Sequence, residues 1–343
     1  MESTVKLARE NIRSLKPYSS ARDEYTGSDG IFLDANENPY GKLNRYPDPH
    51  HRKLKKKISS LYGISEERVF LGNGSDEAID LLYRIFCVPG KDSAMIFPPT
   101  YGMYEVAAGV NDIKTVKVPL NAEFDIDINA VRKHITDRKL KLVFICSPNN
   151  PTSNSFTREK ITEIIENFGG IVAVDEAYID FSARESLVPL TEKYNNLVIL
   201  RTFSKAWGAA GIRVGMVIGN PEIIGLLYKV KPPYNISTPN QLSALKKLAR
   251  IEKHKERIEK IIAERKYLES RLEKIGIVEK VYPSDSNFLL IRVKDPDTVY
   301  KLLAEKKIIV RNRNSVVRGC LRITVGKKKE NRKLIGELKK IVK

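Results

Sequence analysis

The sequence predicts an α/β protein, a large α/β/α domain on a mostly parallel sheet joined to a smaller α+β domain. Three observations predict it. Apolar runs at 142–146 (LVFIC), 171–174 (IVAV) and 197–200 (LVIL) are continuous rather than alternating, as in strands covered on both faces of a parallel sheet. Amphipathic segments alternate with such runs from about residue 66 to residue 230, the order that builds α/β sandwiches. After Lys231-Pro232-Pro233 the grammar changes to a long amphipathic stretch followed by strands and helices in α+β order.

The elements follow in chain order. Residues 1–40 are turn-rich and are expected to form an N-terminal arm packed on the small domain. The large domain, 41–231, begins with a strand at 69–71, the turn GNGSD, and a helix carrying Ile79, Leu82, Tyr83 and Phe86. A strand at 94–97 comes next, then the run at 142–146. A helix follows over 158–168, with Ile161, Ile164, Ile165 and Phe168 at helical spacing, and then the runs at 171–174 and 197–200. The small domain, 232–343, is expected to hold a long amphipathic stretch over 240–274 and a strand at 287–293. A helix at 297–307, strands at 308–310 and 321–325, and a closing helix complete it.

Composition narrows the function classes. Of 343 residues, 42% are apolar, enough for a large core and against disorder. No run of about 18 apolar residues exists to span a membrane, and the start MESTVKLARENIRSLKPY has no apolar signal region. Cys87, Cys146 and Cys320 are odd in number and far apart, which reads as reduced thiols in a cytoplasmic protein. Sixty Lys and Arg against 42 Asp and Glu give a net charge of +18. Nucleic-acid binding is one reading of that charge. The basic residues, however, are interleaved with Glu along helices, without a zinc-finger spacing, a basic arm or an RNA-binding aromatic motif. A solvated surface that draws in anionic substrates fits better. His50, His51, His134 and His254 read as solvated surface and receive no role.

The chemistry lies at the ends of the core strands. In Arg201-Thr-Phe-Ser-Lys-Ala-Trp-Gly-Ala-Ala-Gly-Ile-Arg213, Lys205 sits just past a buried strand, an unusual place for lysine. Its chemical use there is a Schiff base to a carbonyl compound, which needs a depressed pKa. Thr202, Ser204 and Arg213 suit a phosphate beside it. Asp175 ends another core strand, where α/β sheets bind ligands, and a carboxylate there can keep a pyridine nitrogen protonated. A strand ending in Asp-Glu also suits a metal, but the chain has no Walker A loop. Tyr178 and Asn150 are placed to reach a ring hydroxyl. Tyr101, in Pro98-Pro-Thr-Tyr101, can stack on a flat ring. Gly74, Ser75 and Asp76 open a helix whose N-terminus can hold a phosphate, although a glycine turn alone is a weak signal.

Together these motifs resemble the fold-type-I pyridoxal-phosphate enzymes, the aspartate aminotransferase superfamily, over nearly the whole chain. The resemblance implies pyridoxal 5′-phosphate as cofactor, with Lys205 as its Schiff-base lysine and Asp175 as partner of the ring nitrogen. Tyr178 and Asn150 would hold the ring hydroxyl and Tyr101 would stack on the ring. Gly74, Ser75, Asp76, Ser204 and Arg213 would form the phosphate cradle, with Thr202 beside it. Tyr46, in Asn44-Arg-Tyr-Pro-Asp48, is similar to a tyrosine that reaches the neighbouring subunit's cofactor, which implies a homodimer with shared active sites.

Three further segments, 16–25 (KPYSSARDEY), 33–41 (LDANENPYG) and 319–326 (GCLRITVG), resemble histidinol-phosphate aminotransferases. That likeness implies a substrate pocket of Tyr18, Asn36, Arg311 and Arg322. It also implies transfer of the amino group between glutamate and imidazole acetol phosphate. Two guanidiniums suit such substrates, whose anionic ends are carboxylates or phosphate. Taken alone, Arg322 reads equally as an edge-strand surface charge. Threonine-phosphate decarboxylase and aromatic aminotransferases share the architecture and stand as alternatives. A basic nucleic-acid-binding regulator is the alternative from another class. One departure is Ser153, where the family commonly has Gly; a positive φ there would cost Ser some stability.

Overall fold

The computed structural model describes residues 3–19, 21–25 and 30–341, and of Asp23 and Glu24 only the backbone. Ser20, within the 16–25 segment, lies outside them. The helices are α1 (Glu10–Ser14), α2 (Ala21–Glu24), α3 (Arg52–Tyr62), α4 (Ser75–Phe86), α5 (Met103–Val110), α6 (Ile128–Arg132), α7 (Arg158–Asn167), α8 (Pro221–Val230), α9 (Thr238–Leu248), α10 (Ile251–Leu272), α11 (Pro296–Glu305) and α12 (Lys328–Ile341). The strands are β1 (Val69–Gly72), β2 (Ser93–Ile96), β3 (Lys114–Lys117), β4 (Leu140–Cys146), β5 (Ile171–Asp175), β6 (Leu197–Thr202), β7 (Gly215–Gly219), β8 (Val278–Val281), β9 (Phe288–Val293), β10 (Arg311–Asn312) and β11 (Cys320–Thr324).

Seven strands form the main sheet in the order β1-β7-β6-β5-β4-β2-β3. All pairings are parallel except those of β7, which runs antiparallel to both neighbours. The continuous apolar runs sit here, each strand feeding two cores by the two-residue alternation of its side chains. Val143 and Ile145 join the core under α3, α7 and α9, whereas Leu142, Phe144 and Cys146 join the core under α4, α5 and α8. The carboxyl ends of β1, β2, β4, β5 and β6 share one edge, the place where such sheets bind ligands.

The second sheet is antiparallel, in the order β10-β11-β9-β8. One face packs Leu289, Ile291, Val293, Leu321 and Ile323 against α10, α11 and α12. The opposite face carries Phe288, Leu290 and Arg322, with Arg322 directly across from Leu290.

Four expectations change or sharpen. The N-terminal arm does not pack on the small domain over residues 3–14. Its Thr4 N–H and hydroxyl donate to Glu222 of α8 at 2.7 and 2.8 Å, and Ala8 and Ile12 join the core under α4 and α8. The long amphipathic stretch over 240–274 is divided into two helices, because its halves bury against different cores: Ala244 of α9 against the main sheet, Leu268 and Leu272 of α10 against the small one. The strand expected at 308–310 is extended chain without ladder pairing, leaving Ile309 74% exposed, and the short β10 follows it. Finally, His51 and His254 are buried, the latter stacked on Trp207 at 3.7 Å. No helix among the described residues is long and apolar enough to cross a membrane.

Candidate active site

A cavity of about 720 Å³ opens at the carboxyl edge of the main sheet and is closed over by the β10–β11 hairpin. Each strand contributes through the loop that follows it. After β1 comes the glycine turn, where Gly74 has φ +80°, and a Cβ there would lie 2.6 Å from Arg213 Nη2. Across it, a Cβ on Gly215 would meet Ser75 N at 2.3 Å, so two glycines let the turn, β7 and a guanidinium converge. Helix α4 starts at Ser75 with no side-chain cap, leaving first-turn N–H groups for an anion. Arg213, itself in the left-handed region with φ +47°, donates to Ser204 Oγ at 3.3 Å and Asp76 Oδ2 at 3.2 Å. Asp76 also accepts from the Tyr101 hydroxyl at 3.1 Å. Its carboxylate therefore orients Arg213 and Tyr101 rather than facing an anion. Thr202 Oγ1 accepts from Ser204 N at 3.0 Å, which fixes the turn before Lys205.

Asp175 is buried at the end of β5. Burial pushes its carboxyl upward, while the Tyr104 hydroxyl at 2.8 Å, the Ala177 N–H at 3.0 Å and the nearby Lys205 favour the ionised form. Lys205 is half-buried, with Nζ 5.3 Å from the Tyr178 ring centre. Burial, then Arg322, lowers its pKa, against the opposing pull of Asp175 and Asp76. Tyr178 is buried edge-on against Phe288, and burial raises its hydroxyl. Asn150 accepts from Arg322 Nη1 through Oδ1, and its Nδ2 makes no hydrogen bond among the described residues.

The hairpin supplies the other wall. Arg311 and Arg322 are directly opposed across β10 and β11, so both side chains stand on one face. Arg322 lies over the Phe288 ring at 5.2 Å, and its pKa is lowered by burial.

The cavity thus brings together Ser75, Asp76, Tyr101, Asn150, Asp175, Tyr178, Thr202, Ser204, Lys205, Arg213, Arg311 and Arg322, with Gly74 against Arg213. Tyr18, Asn36 and Tyr46 lie elsewhere. Tyr18 is 71% exposed, and Asn36 and Tyr46 line a separate hollow beside α9. Tyr46 stacks on Tyr234 at 4.4 Å. Two site residues escaped the sequence reading. Tyr104 follows Tyr101 by three positions at the start of α5, a helical spacing that places both on one side. Arg313 follows Arg311 by two, a strand spacing that does the same.

The donor set fits an aromatic phosphate cofactor. An uncapped helix N-terminus and Arg213 meet where a glycine is required, an aromatic flanks them, and a buried carboxylate and a pKa-lowered lysine face the same space. The family model for Aminotransferase class I and II matches residues 31–338. The chain belongs to the class I and II aminotransferases. This aminotransferase is 50% identical over 342 residues to the histidinol-phosphate aminotransferase of Parabacteroides distasonis, covering 99% of each. Among solved structures, it superposes on the histidinol-phosphate aminotransferase of Clostridium acetobutylicum with a TM-score of 0.81 at 27% identity, covering 88% of this chain and 91% of the other. The Sinorhizobium meliloti histidinol-phosphate aminotransferase, solved with pyridoxal-5′-phosphate, shares the fold with a TM-score of 0.79 at 21% identity, over 90% and 89% of the two chains.

Proposed function

We propose that this aminotransferase uses pyridoxal phosphate to move an amino group between glutamate and imidazole acetol phosphate, yielding 2-oxoglutarate and histidinol phosphate. The observation that carries the reading is the Arg311–Arg322 pair, two guanidiniums side by side in the cavity that also holds Lys205. Paired planar forks suit substrates that present carboxylate at one visit and phosphate at the next. The near-complete coverage of relatives named for this activity supports it.

Gly74, Ser75, Ser204, Thr202 and Arg213 would hold the cofactor phosphate, with Asp76 steering Arg213. Tyr101 would cover the ring face, Asn150 and Tyr178 the ring hydroxyl, and Asp175 the ring nitrogen. Bound there, the cofactor supplies a carbonyl that accepts an amine and a ring that draws electrons from the substrate carbon. The protein's own part is proton handling and placement. Lys205, its charge disfavoured by burial and by Arg322, takes the proton from the substrate's amino-bearing carbon and would deliver it to the former carbonyl carbon of the cofactor. Asp175 keeps the ring nitrogen protonated because Tyr104 and the Ala177 N–H stabilise the carboxylate. Arg322 takes the α-carboxylate of glutamate, and Arg311 the distal carboxylate or the substrate phosphate.

A homodimer working in the cytoplasm completes the proposal. Tyr46, Asn36 and Tyr18 lie outside their own chain's cavity, on a stretch that also exposes Ile31, Leu33, Tyr40 and Leu43. Such an apolar surface suits a second copy. The three cysteines are free and buried, as suits a reducing compartment.

The test is an assay of the cofactor-loaded protein with glutamate and imidazole acetol phosphate, phenylpyruvate, or threonine phosphate. Amino transfer to imidazole acetol phosphate at the highest kcat/KM supports the proposal. Preference for phenylpyruvate, or release of carbon dioxide from threonine phosphate as the main reaction, overturns it.

A further inference from the structure

We propose that Arg313 is a specificity-determining residue, a third guanidinium that selects a phosphate dianion over a carboxylate at the anion end of the cavity. This deepens the function proposed above and rests on that reading.

The argument starts from register. Arg311 is opposite Arg322 and Asn312 opposite Leu321, and the ladder continues with Arg313 N donating to Cys320 O at 3.0 Å. Residues two apart on a strand share a face, so Arg311, Arg313 and Arg322 all project from the same side of the hairpin. All three line the one cavity. The backbone is held from behind. Asn312 and Asn314 donate to the two carboxylate oxygens of Asp297 on α11, at 2.6 and 2.9 Å. Asn314 Oδ1 also accepts from Gly319 N at 2.9 Å, which closes the turn.

The charges are left open. Among the described residues no carboxylate lies within salt-bridge distance of Arg311, Arg313 or Arg322. The cavity's own carboxylates are engaged elsewhere: Asp76 with Arg213 and Tyr101, Asp175 with Tyr104, and Glu105 with Lys117 at 2.5 Å. Arg313 Nε is buried with no hydrogen-bond partner. Burial, Arg322 and Arg311 all disfavour its charge. A mutually repelling cluster of donors, with Arg311 exposed and Arg313 and Arg322 half-buried, is relieved best by the ligand carrying the most negative charge and the most acceptor oxygens. A phosphate monoester carries roughly −1.5 to −2 near neutral pH and three acceptor oxygens, against one charge and two oxygens for a carboxylate. Arg311 and Arg322 already suffice for a dicarboxylate. The third fork gives the phosphate ester a preference that glutamate cannot use.

The experiment measures KM and kcat of the holoenzyme for histidinol phosphate and for glutamate, in wild type, Arg313→Gln and Arg313→Lys. Inhibition by inorganic phosphate is measured alongside. Losing charged hydrogen bonds to one phosphate should raise the KM for histidinol phosphate on the order of ten-fold or more. The KM for glutamate should rise much less, kcat should be largely kept, and phosphate inhibition should weaken in parallel. Arg313→Lys, which keeps the charge but loses the fork, should fall between. Equal rises for both substrates, or no rise for histidinol phosphate in either variant, would overturn the inference. A wild-type enzyme that does not turn over histidinol phosphate would instead overturn the function on which the inference rests.

Discussion

The two walls of the cavity are built on opposite electrostatic principles. On the main-sheet wall, most charged groups have a partner within the protein: Asp175 with Tyr104 and a backbone N–H, Asp76 with Arg213 and Tyr101. On the hairpin wall, Arg311 and Arg313 have no hydrogen-bonding side-chain partner among the described residues, where Arg322 has only Asn150 and the Phe288 face. The first wall is set before any ligand arrives, as suits a permanently held cofactor whose geometry must not drift. The second is left uncompensated, as suits ligands that exchange at each turnover. A site can therefore combine rigidity and exchange by distributing its counter-charges unevenly between two domains.

The largest expected effect breaks the main-sheet wall. Lys205→Ala should slow amino transfer from glutamate on the order of 10³-fold or more, the scale of a lost general acid–base. It should also abolish the borohydride-reducible adduct. A reducible adduct persisting on another lysine would show that the reactive amine lies elsewhere. Next is Tyr104→Phe, which removes the donor to Asp175 Oδ2 and leaves that buried oxygen short of a partner, at about 1–3 kcal/mol of stability. Because the hydroxyl works against the upward push of burial on Asp175, its loss should raise that pKa further. Cofactor release on acidification should then begin at a higher pH than in wild type, as followed by cofactor absorbance. Unchanged stability and release would mean that Tyr104 does not set the state of Asp175.

The smallest effect sharpens the contrast from outside the cavity. Burial alone would raise the pKa of Glu37, but hydrogen bonds from Arg45, the Tyr46 N–H and Arg22 hold it down to about 2. A carboxylate with a lowered folded pKa contributes stability above its ordinary pKa near 4.5, and loses it as the pH falls toward about 2. Protection of the Tyr46 amide, which donates to Glu37 at 2.5 Å, should fall across that window in wild type when its exchange is compared with that of an unstructured amide at the same pH. In Glu37→Gln that loss of protection should be absent.

Much of the main-sheet wall was legible in the sequence because it is local. Apart from Arg213, the residues the sequence placed there follow an apolar run by a few positions, so finding the strand finds the residue. The hairpin wall was less legible. Arg311 and Arg322 were placed by resemblance alone, since their pairing depends on a register between strands that no single segment encodes. Arg313 and Tyr104 were missed although their spacings of two and three were visible, because spacing names a face without saying what it faces. Ser153 was legible as a departure, and its φ of +68° is the conformation that position requires. The compensation was not legible: its hydroxyl donates to Pro283 O at 3.1 Å, a contact 130 residues away.

The uneven distribution of charge predicts that the hairpin arginines serve the two substrates unequally, and Arg322→Ala tests this most directly. Single-turnover rates should be measured for amino transfer from glutamate and from histidinol phosphate, with cofactor occupancy matched to wild type. Histidinol phosphate has no α-carboxylate, so the glutamate half-reaction should lose more, on the order of 2 kcal/mol in transition-state terms. Equal losses in the two half-reactions would contradict the account, because Arg322 would then hold the site together rather than receive a carboxylate.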